Sequence, residues 1–306
     1  MLLSNYQKGV KNINDFIFNN FTIVPNEYIK GTTRLPSDEL LILSVLLMIK
    51  NNKDIAMFNI KWLCTLYNST TSNTTISKAI SNNLRCLSDK GIVKYYSDIN
   101  LSKEIDITNC SKSDMIFAAI VVMPDKQFTM IKDRYILEIL QSSKKTKKVN
   151  RSKLYVMCAY ILSCINLQEI STDYKLCNIS QNRITKEVGV SSHSISKYNS
   201  ILKELNILDY MNLTLKNPIG GIKKKLPTYY CNYEDKELLD KKKEYFIDTG
   251  YYEEISELDK THSSNKTSVK LKIFNLEEKM KNNTITAEEL LILRNLKAEY
   301  EGFSSC

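Results

Sequence analysis

The chain repeats itself, and the repeat constrains its fold more than any other feature. Phe21–Ile29 reads FTIVPNEYI, and Phe128–Ile136, 107 positions later, reads FTMIKDRYI. A strongly apolar helix is predicted behind each, ELLILSVLLMI at Glu39–Ile49 and KLYVMCAYILS at Lys153–Ser163. A polar stretch follows, then a second helical pair carrying Ile-Ser-Lys at Ile76–Lys78 and again at Ile195–Lys197. Leu84, Leu87 and Gly91–Tyr95 then match Leu202, Leu205 and Asn206–Tyr210. Four landmarks in one order mark a duplication, with drift in the offset absorbed by loop insertions. The chain reads as two copies of one small domain.

The second copy holds the most specific motif, QNRITKEVGVSSHSISKYNS at Gln181–Ser200. Ile184 and Val188 share one face of a short helix over Asn182–Val188. Gly189 suits a turn through positive φ, Val190 plugs that turn, and Ser191 or Ser192 can cap the next helix. The next helix buries Ile195, Tyr198, Leu202 and Leu205 and presents Ser192, His193, Ser196, Lys197 and Ser200. Small polar donors beside a cation suit base edges and phosphates, as on the second helix of a helix-turn-helix in the major groove. Gln181, Asn182 and Ser191, at the ends of the two helices, complete the candidate DNA contacts of this motif.

Each copy ends on a β-like segment, Ile92–Tyr96 or Ile207–Leu215. The second copy adds a basic turn, KNPIGGIKKK at Lys216–Lys225, and an aromatic return strand over Leu226–Tyr233. Helix, helix, recognition helix, hairpin is the order of a winged helix. Pro218, Gly220 and Gly221 would form the wing tip, with Lys223, Lys224 and Lys225 placed to grip phosphate. In the first copy the recognition helix is predicted from Thr74 or Thr75 to Lys90, with Ser77, Lys78, Ser81, Asn82 and Arg85 outward. The turn before it, Asn68–Asn73, is loose, and its hairpin, Tyr95–Thr108, carries Asp98, Glu104 and Asp106, which repel phosphate. Between the copies, Ser142–Lys153 holds six cations and no acid, and Lys144, Lys145, Lys147 and Lys148 are expected to track a DNA backbone.

The net charge of +9 is unevenly spread. Residues 1–140 carry 16 Lys and Arg against 13 acids, residues 141–233 carry 15 against 5, and residues 234–306 carry 12 against 16. The positive field therefore coincides with the helix-turn-helix, as polyanion binding requires. Eight cysteines without a CxxC pair fit reduced thiols in a cytoplasm. The N-terminus lacks a secretory layout, and the longest apolar run, Leu40–Ile49, is too short to cross a bilayer. The expected location is cytoplasmic, with no membrane partner. Abundant Asn, Lys, Ile and Tyr point to an AT-rich, bacterial coding genome.

Catalytic signatures are missing. There is no GxxxxGK[ST] phosphate loop, the two histidines, His193 and His262, stand far apart, and no cysteines have metal-ligand spacing. The expectation is a protein that is not an enzyme, with no cofactor and no metal. Residues 234–306 read as a helix over Glu234–Tyr245, a linker at Thr261–Ser268 and a helical pair. Thr286 and Glu289 form a capping box in that pair. Leu290, Leu293, Leu296 and Tyr300 are expected to face Leu271, Phe274 and Leu276.

The predicted fold is mainly α with small β-hairpins: two tandem winged-helix (helix-turn-helix) domains, residues 1–140 and 141–233, plus a C-terminal helical extension, residues 234–306. The F-x-x-x-P-N-x-Y-I pattern at Phe21–Ile29 and the S-x-S-I-S-K-x-x-x-x-L-x-x-L-x-I-L pattern at Ser192–Leu208 resemble tandem winged-helix replication initiators of Gram-positive plasmids and mobile elements. Over residues 20–233 the chain also resembles, less closely, DnaD-like primosomal and replisome-organiser proteins. Lys132 departs from the pattern where the first copy has Pro25. The resemblance implies sequence-specific binding of double-stranded DNA at origin repeats, a homodimer paired through one winged helix, and host replication proteins as partners of the extension. A transcriptional regulator or copy-control repressor and a winged-helix protein-interaction module are the alternatives. Self-association is assigned to the first copy, because Leu40–Ile49 is apolar nearly all round and leaves Leu43, Leu47 or Met48 for a second subunit.

Overall fold

In the computed structural model of the chain, which describes residues 21–67, 74–121, 127–142, 149–165, 175–215, 227–250, 252–254, 271–282 and 284–302, the two apolar helices lie at the centre of the repeats. The first repeat opens with β1 (Phe21–Pro25) and α1 (Asn26–Ile29), then α2 (Ser37–Ile49). Pro36 precedes α2, and Asp38 and Glu39 occupy its first turn, where carboxylates meet the positive end of the helix dipole. Every residue from Glu39 to Leu47 is buried. The rest of the repeat is β2 (Ile55–Phe58), α3 (Ile60–Leu66), α4 (Thr74–Asp89), β3 (Val93–Tyr96) and β4 (Ile116–Ile120), with the strands ordered β2-β4-β3.

The second repeat runs β5 (Phe128–Lys132), α5 (Asp133–Gln141), α6 (Arg151–Ile165), β6 (Leu176–Ile179), α7 (Gln181–Val188), α8 (Ser192–Glu204), β7 (Leu208–Met211), β8 (Leu213–Leu215) and β9 (Thr228–Asn232). Its sheet, β6-β9-β7, has the same order as the first. A helix that is apolar all round must be enclosed, and α2 and α6 enclose each other within one continuous core. At their contact the Tyr155 hydroxyl donates to Ser44 Oγ at 2.6 Å, and the Ser44 hydroxyl donates to the Leu40 carbonyl at 2.8 Å. Leu43 and Leu47 are buried inside the chain, and Met48 packs against the same core. The face expected to pair with a second subunit is thus covered within the chain. Duplication supplies in cis the cover that the sequence reading sought in a dimer.

An internal two-fold relates the repeats. β1 pairs antiparallel with β5 in a register centred on Ile23 opposite Met130, which are equivalent positions of the two copies. Two buried hydrogen bonds obey the same symmetry: Thr22 donates to Asp133 Oδ1 at 2.6 Å, and its counterpart Thr129 donates to Asn26 Oδ1 at 2.5 Å. Burial pushes the Asp133 carboxyl up, opposed by the hydrogen bond from Thr22. Asn26 stands at the equivalent position without a charge, so this seam buries one carboxyl where strict symmetry would bury two.

Strands β2 and β6 are elements the sequence reading did not foresee. The hairpin expected over Tyr95–Thr108 is corrected as well, because its return strand is β4. The acidic stretch is instead a folded loop: the Asp98 carboxylate accepts from the backbone N–H groups of Asn100, Ser102 and Lys103, and Asp106 accepts from the Thr108 N–H at 2.9 Å. Desolvation is the largest single effect on Asp98 and acts upward, but these bonds together outweigh it and hold the carboxylate low, while Asp106 is lowered chiefly by Thr108.

The chain forms two compact units, residues 1–211 with 227–245 and residues 212–226 with 246–306. Helix α9 (Lys236–Asp248), predicted as the start of the extension, therefore begins in the first unit. Leu239 is buried, Asp235 pairs with Lys175 at 2.8 Å, and Glu234 pairs with Lys132 and Arg134. In the second unit β8 pairs with β10 (Tyr252–Glu254), and a helical hairpin comprises α10 (residues 271–281) and α11 (Ala287–Gly302). The capping box is formed: the Glu289 N–H donates to Thr286 Oγ1 at 3.2 Å and the Thr286 N–H to Glu289 Oε2 at 3.1 Å. The apolar facing is corrected, since Leu271, Phe274 and Leu290 are exposed and the inner side is formed by Ile273, Leu276, Leu293 and Leu296. At 100° per residue, Leu271 and Phe274 lie on the far side of α10 from Ile273 and Leu276. Among the described residues no helix is long and apolar enough to cross a membrane, and seven cysteines are free thiols.

Candidate nucleic-acid interface

The α7–α8 pair is built from the capping chemistry that its sequence prescribes. Ser180 caps α7, its hydroxyl accepting from the Arg183 N–H at 3.2 Å. Gly189 ends the helix at φ +69° and donates its N–H to the Thr185 carbonyl at 3.0 Å. That left-handed conformation strains a residue with a Cβ, which is why glycine stands there. Val190 is buried as the plug of the turn. Ser191 then caps α8, accepting from the Ser194 N–H, with the two hydroxyls 2.8 Å apart.

Helix α8 separates its faces cleanly. Ile195, Tyr198, Ile201 and Leu202 are buried, while Ser192, His193, Ser196, Lys197 and Ser200 are all exposed. Gln181, Asn182 and Ser191 are exposed too, on or beside α7. The sequence reading missed Asn199, which is buried and donates from Nδ2 to the Tyr230 hydroxyl of β9 at 3.1 Å. Burial pushes that tyrosine up to about 12, so it remains neutral and ties the helix to the sheet. Lys203 is occupied by Asp209 at 2.7 Å.

The equivalent helix of the first repeat is less open. Lys78, Asn82 and Arg85 are exposed on α4, and Ser81 is half-buried with its hydroxyl on the Ser77 carbonyl. Ser77 is corrected: it is buried, with its hydroxyl on the Thr74 carbonyl, and does not belong to the outer face. Arg85 lies close enough to Asp106 to lower that carboxylate, so part of its charge is answered within the protein. Lys144, Lys145, Lys147, Lys148, Lys223, Lys224 and Lys225, and the turn Asn68–Asn73, lie outside the described residues.

The structure adds one cation that sequence reasoning passed over. Arg34, exposed between α1 and α2 of the first repeat, has its guanidinium beside the α7–α8 turn, 3.6 Å from where a Cβ on Gly189 would stand. The second repeat reciprocates: Arg151 at the start of α6 donates to the backbone carbonyl of Tyr67, which caps α3. Each repeat therefore sends an arginine to the helical turn of the other. The repeat itself carried the signal, because the segment holding Arg34 corresponds to the basic junction around Arg151.

Among the described residues no three His, Cys, Asp or Glu side chains cluster as a metal site. No protein-family model matches the chain, and no curated protein matches it.

Proposed function

We propose that the chain is a sequence-specific double-stranded DNA-binding protein made of two winged helices, and that it initiates replication of a plasmid or mobile element in a bacterial cytoplasm. The observation that carries DNA binding is the outer face of α8: three serines, His193 and Lys197 exposed on a helix whose other face is locked into the core. The order helix, strand, helix, helix, strand, strand, with sheets β2-β4-β3 and β6-β9-β7, supports the winged-helix reading of both repeats. The charge supports it too, since residues 141–233 hold 15 cations against 5 acids. Initiation rests on the likeness of the two sequence patterns to those of plasmid initiators. No catalytic role is assigned to any residue.

Footprinting on the DNA flanking the gene tests the proposal. The wild-type chain should protect defined sites, and His193→Ala with Lys197→Ala should abolish that specificity, at about 1–3 kcal/mol for each good base contact. An identical footprint from the double variant removes α8 from recognition. Directly repeated sites beside an AT-rich stretch, together with autonomous replication of gene plus flank, are the result expected of an initiator. A palindrome over a promoter assigns the same interface to a repressor.

A further inference from the structure

The β1–β5 ribbon is covered on one side only. Its inward side chains, Thr22, Val24, Thr129 and Ile131, are buried against the α2–α6 core. Its outward ones alternate with them: Phe21, Ile23, Phe128 and Met130 are 47, 41, 45 and 45% exposed. Side chains two apart on a strand share a face, and Ile23 stands directly opposite Met130, so the four form one apolar patch. The cation on this face, Lys132 opposite Phe21, is already paired with Glu234. Residues 1–20, outside the described residues, run directly into Phe21. At 100° per residue, Leu2, Leu3, Tyr6, Val10, Ile13 and Ile17 fall within an arc of about 100°, with Lys8, Lys11 and Asp15 opposite.

We propose that residues 2–17 form an amphipathic helix that docks its apolar stripe on this face of the ribbon. Length and connection support this occupant. The stripe measures about 21 Å from Leu3 to Ile17 on a helix, against about 17 Å for a five-residue strand such as β1 or β5. Phe18, Asn19 and Asn20 then make a return of ordinary length, and asparagine suits the left-handed turn that ends a helix. The four steps from Ile17 to Phe21 reach up to about 13 Å, enough to raise the chain by one layer. Area separates this occupant from a second copy. With about 200 Å² for each side chain when fully exposed, the patch offers about 350 Å². Two copies pairing through it would bury only about 700 Å², too little for a specific interface, whereas a tethered segment escapes most of the cost of association. The segment needs the patch in turn, because an isolated helix of this length is marginal in water and Gly9 weakens it further. The proposal is independent of the DNA-binding reading, because neither the contact nor its test involves nucleic acid.

Oxidation of the full-length chain by hydrogen peroxide, read methionine by methionine by mass spectrometry, tests it. Peroxide passes one oxygen to an accessible thioether, leaving a sulfoxide and water. Met115, 39% exposed just before β4, is the internal reference for Met130. An open ribbon oxidises both at similar rates, whereas a docked helix should slow Met130 about fivefold or more. Val10→Glu with Ile13→Glu, which alters no ribbon residue, should bring Met130 up to the Met115 rate. Hydrogen exchange should show the amides of residues 3–17 protected in the wild type and released by Ile23→Glu, with those of α2 protected in both. Equal rates at the two methionines of the wild type, a slow Met130 that survives the double substitution, or protection of residues 3–17 that survives Ile23→Glu would each overturn the proposal. Protection of Met130 that is lost on dilution would overturn it in favour of a second copy.

Discussion

Removing both hydroxyls at the α2–α6 contact should cost less than the two single removals added together. Ser44 and Tyr155 are fully buried, the tyrosine donating to the serine at 2.6 Å and the serine to the Leu40 carbonyl at 2.8 Å. Tyr155→Phe deletes one donor and leaves Ser44 still bonded to Leu40, which should cost about 1 kcal/mol. Ser44→Ala strands a tyrosine hydroxyl that is completely enclosed, and desolvation without a partner should cost about 2 kcal/mol. The double variant replaces both polar groups by apolar ones of similar shape, for about 1 kcal/mol. The singles would sum to about 3, giving a coupling near 2 kcal/mol in favour of the double variant. Urea titration followed by Trp62, the sole tryptophan, and by circular dichroism measures this, with midpoints shifting at constant slope. Additive costs, within about 0.5 kcal/mol, would refute the contact. Separate transitions for the two repeats would refute the shared core.

Two further outcomes follow from the seam and from the turn. Burial raises the Asp133 carboxyl in the folded chain, so the native state holds its proton more tightly than the unfolded state does. Stability contributed by that proton is present at low pH and falls as pH rises through the unfolded value, about 3.9, and on through the raised folded value. Asp133→Asn keeps an acceptor for Thr22, as Asn26 does for Thr129, and should remove that slope and stabilise the chain at neutral pH; parallel pH profiles for variant and wild type would refute it. Arg34→Ala should weaken all DNA sequences alike and lower the slope of log affinity against log salt by about 0.9, as should each substitution among Lys223, Lys224 and Lys225. An unchanged slope for Arg34→Ala would remove that residue from the phosphate contacts.

The parts of this fold that were legible in sequence are those whose signal is local. The α7–α8 turn could be read because Gly189, Val190 and Ser191 each answer a local requirement: positive φ, an apolar plug and a cap. Thr286 and Glu289 are a second case, since their hydrogen bonds close within four residues. β2 and β6 were not legible, because four-residue strands have no periodicity of their own and exist only through pairing with β4 and β9. Ser77 was misplaced for a different reason. A serine with its hydroxyl on the preceding turn of its own helix is satisfied when buried, so its polarity says little about which face it occupies. Arg34 was missed because its position beside Gly189 spans the two repeats, and its only trace in the sequence is the correspondence of its segment with the basic junction around Arg151.

The same two-fold also separates what the duplication kept from what it let diverge. The seam kept its pattern, with Ile23 opposite Met130 and two threonines donating across to Asn26 and Asp133. Those positions are constrained from both sides, since a changed residue in one repeat must still fit its counterpart in the other. The outward faces of α4 and α8 carry no such mutual constraint. One has a buried serine and an arginine beside Asp106, while the other presents its serines, His193 and Lys197 openly. On the proposed function this divergence divides the labour, with the second repeat reading sequence and the first adding weaker contacts at a spacing that the buried α2–α6 packing holds fixed. A chain that merely linked two independent binding domains would need no shared core, and its α2 would not be apolar on every side.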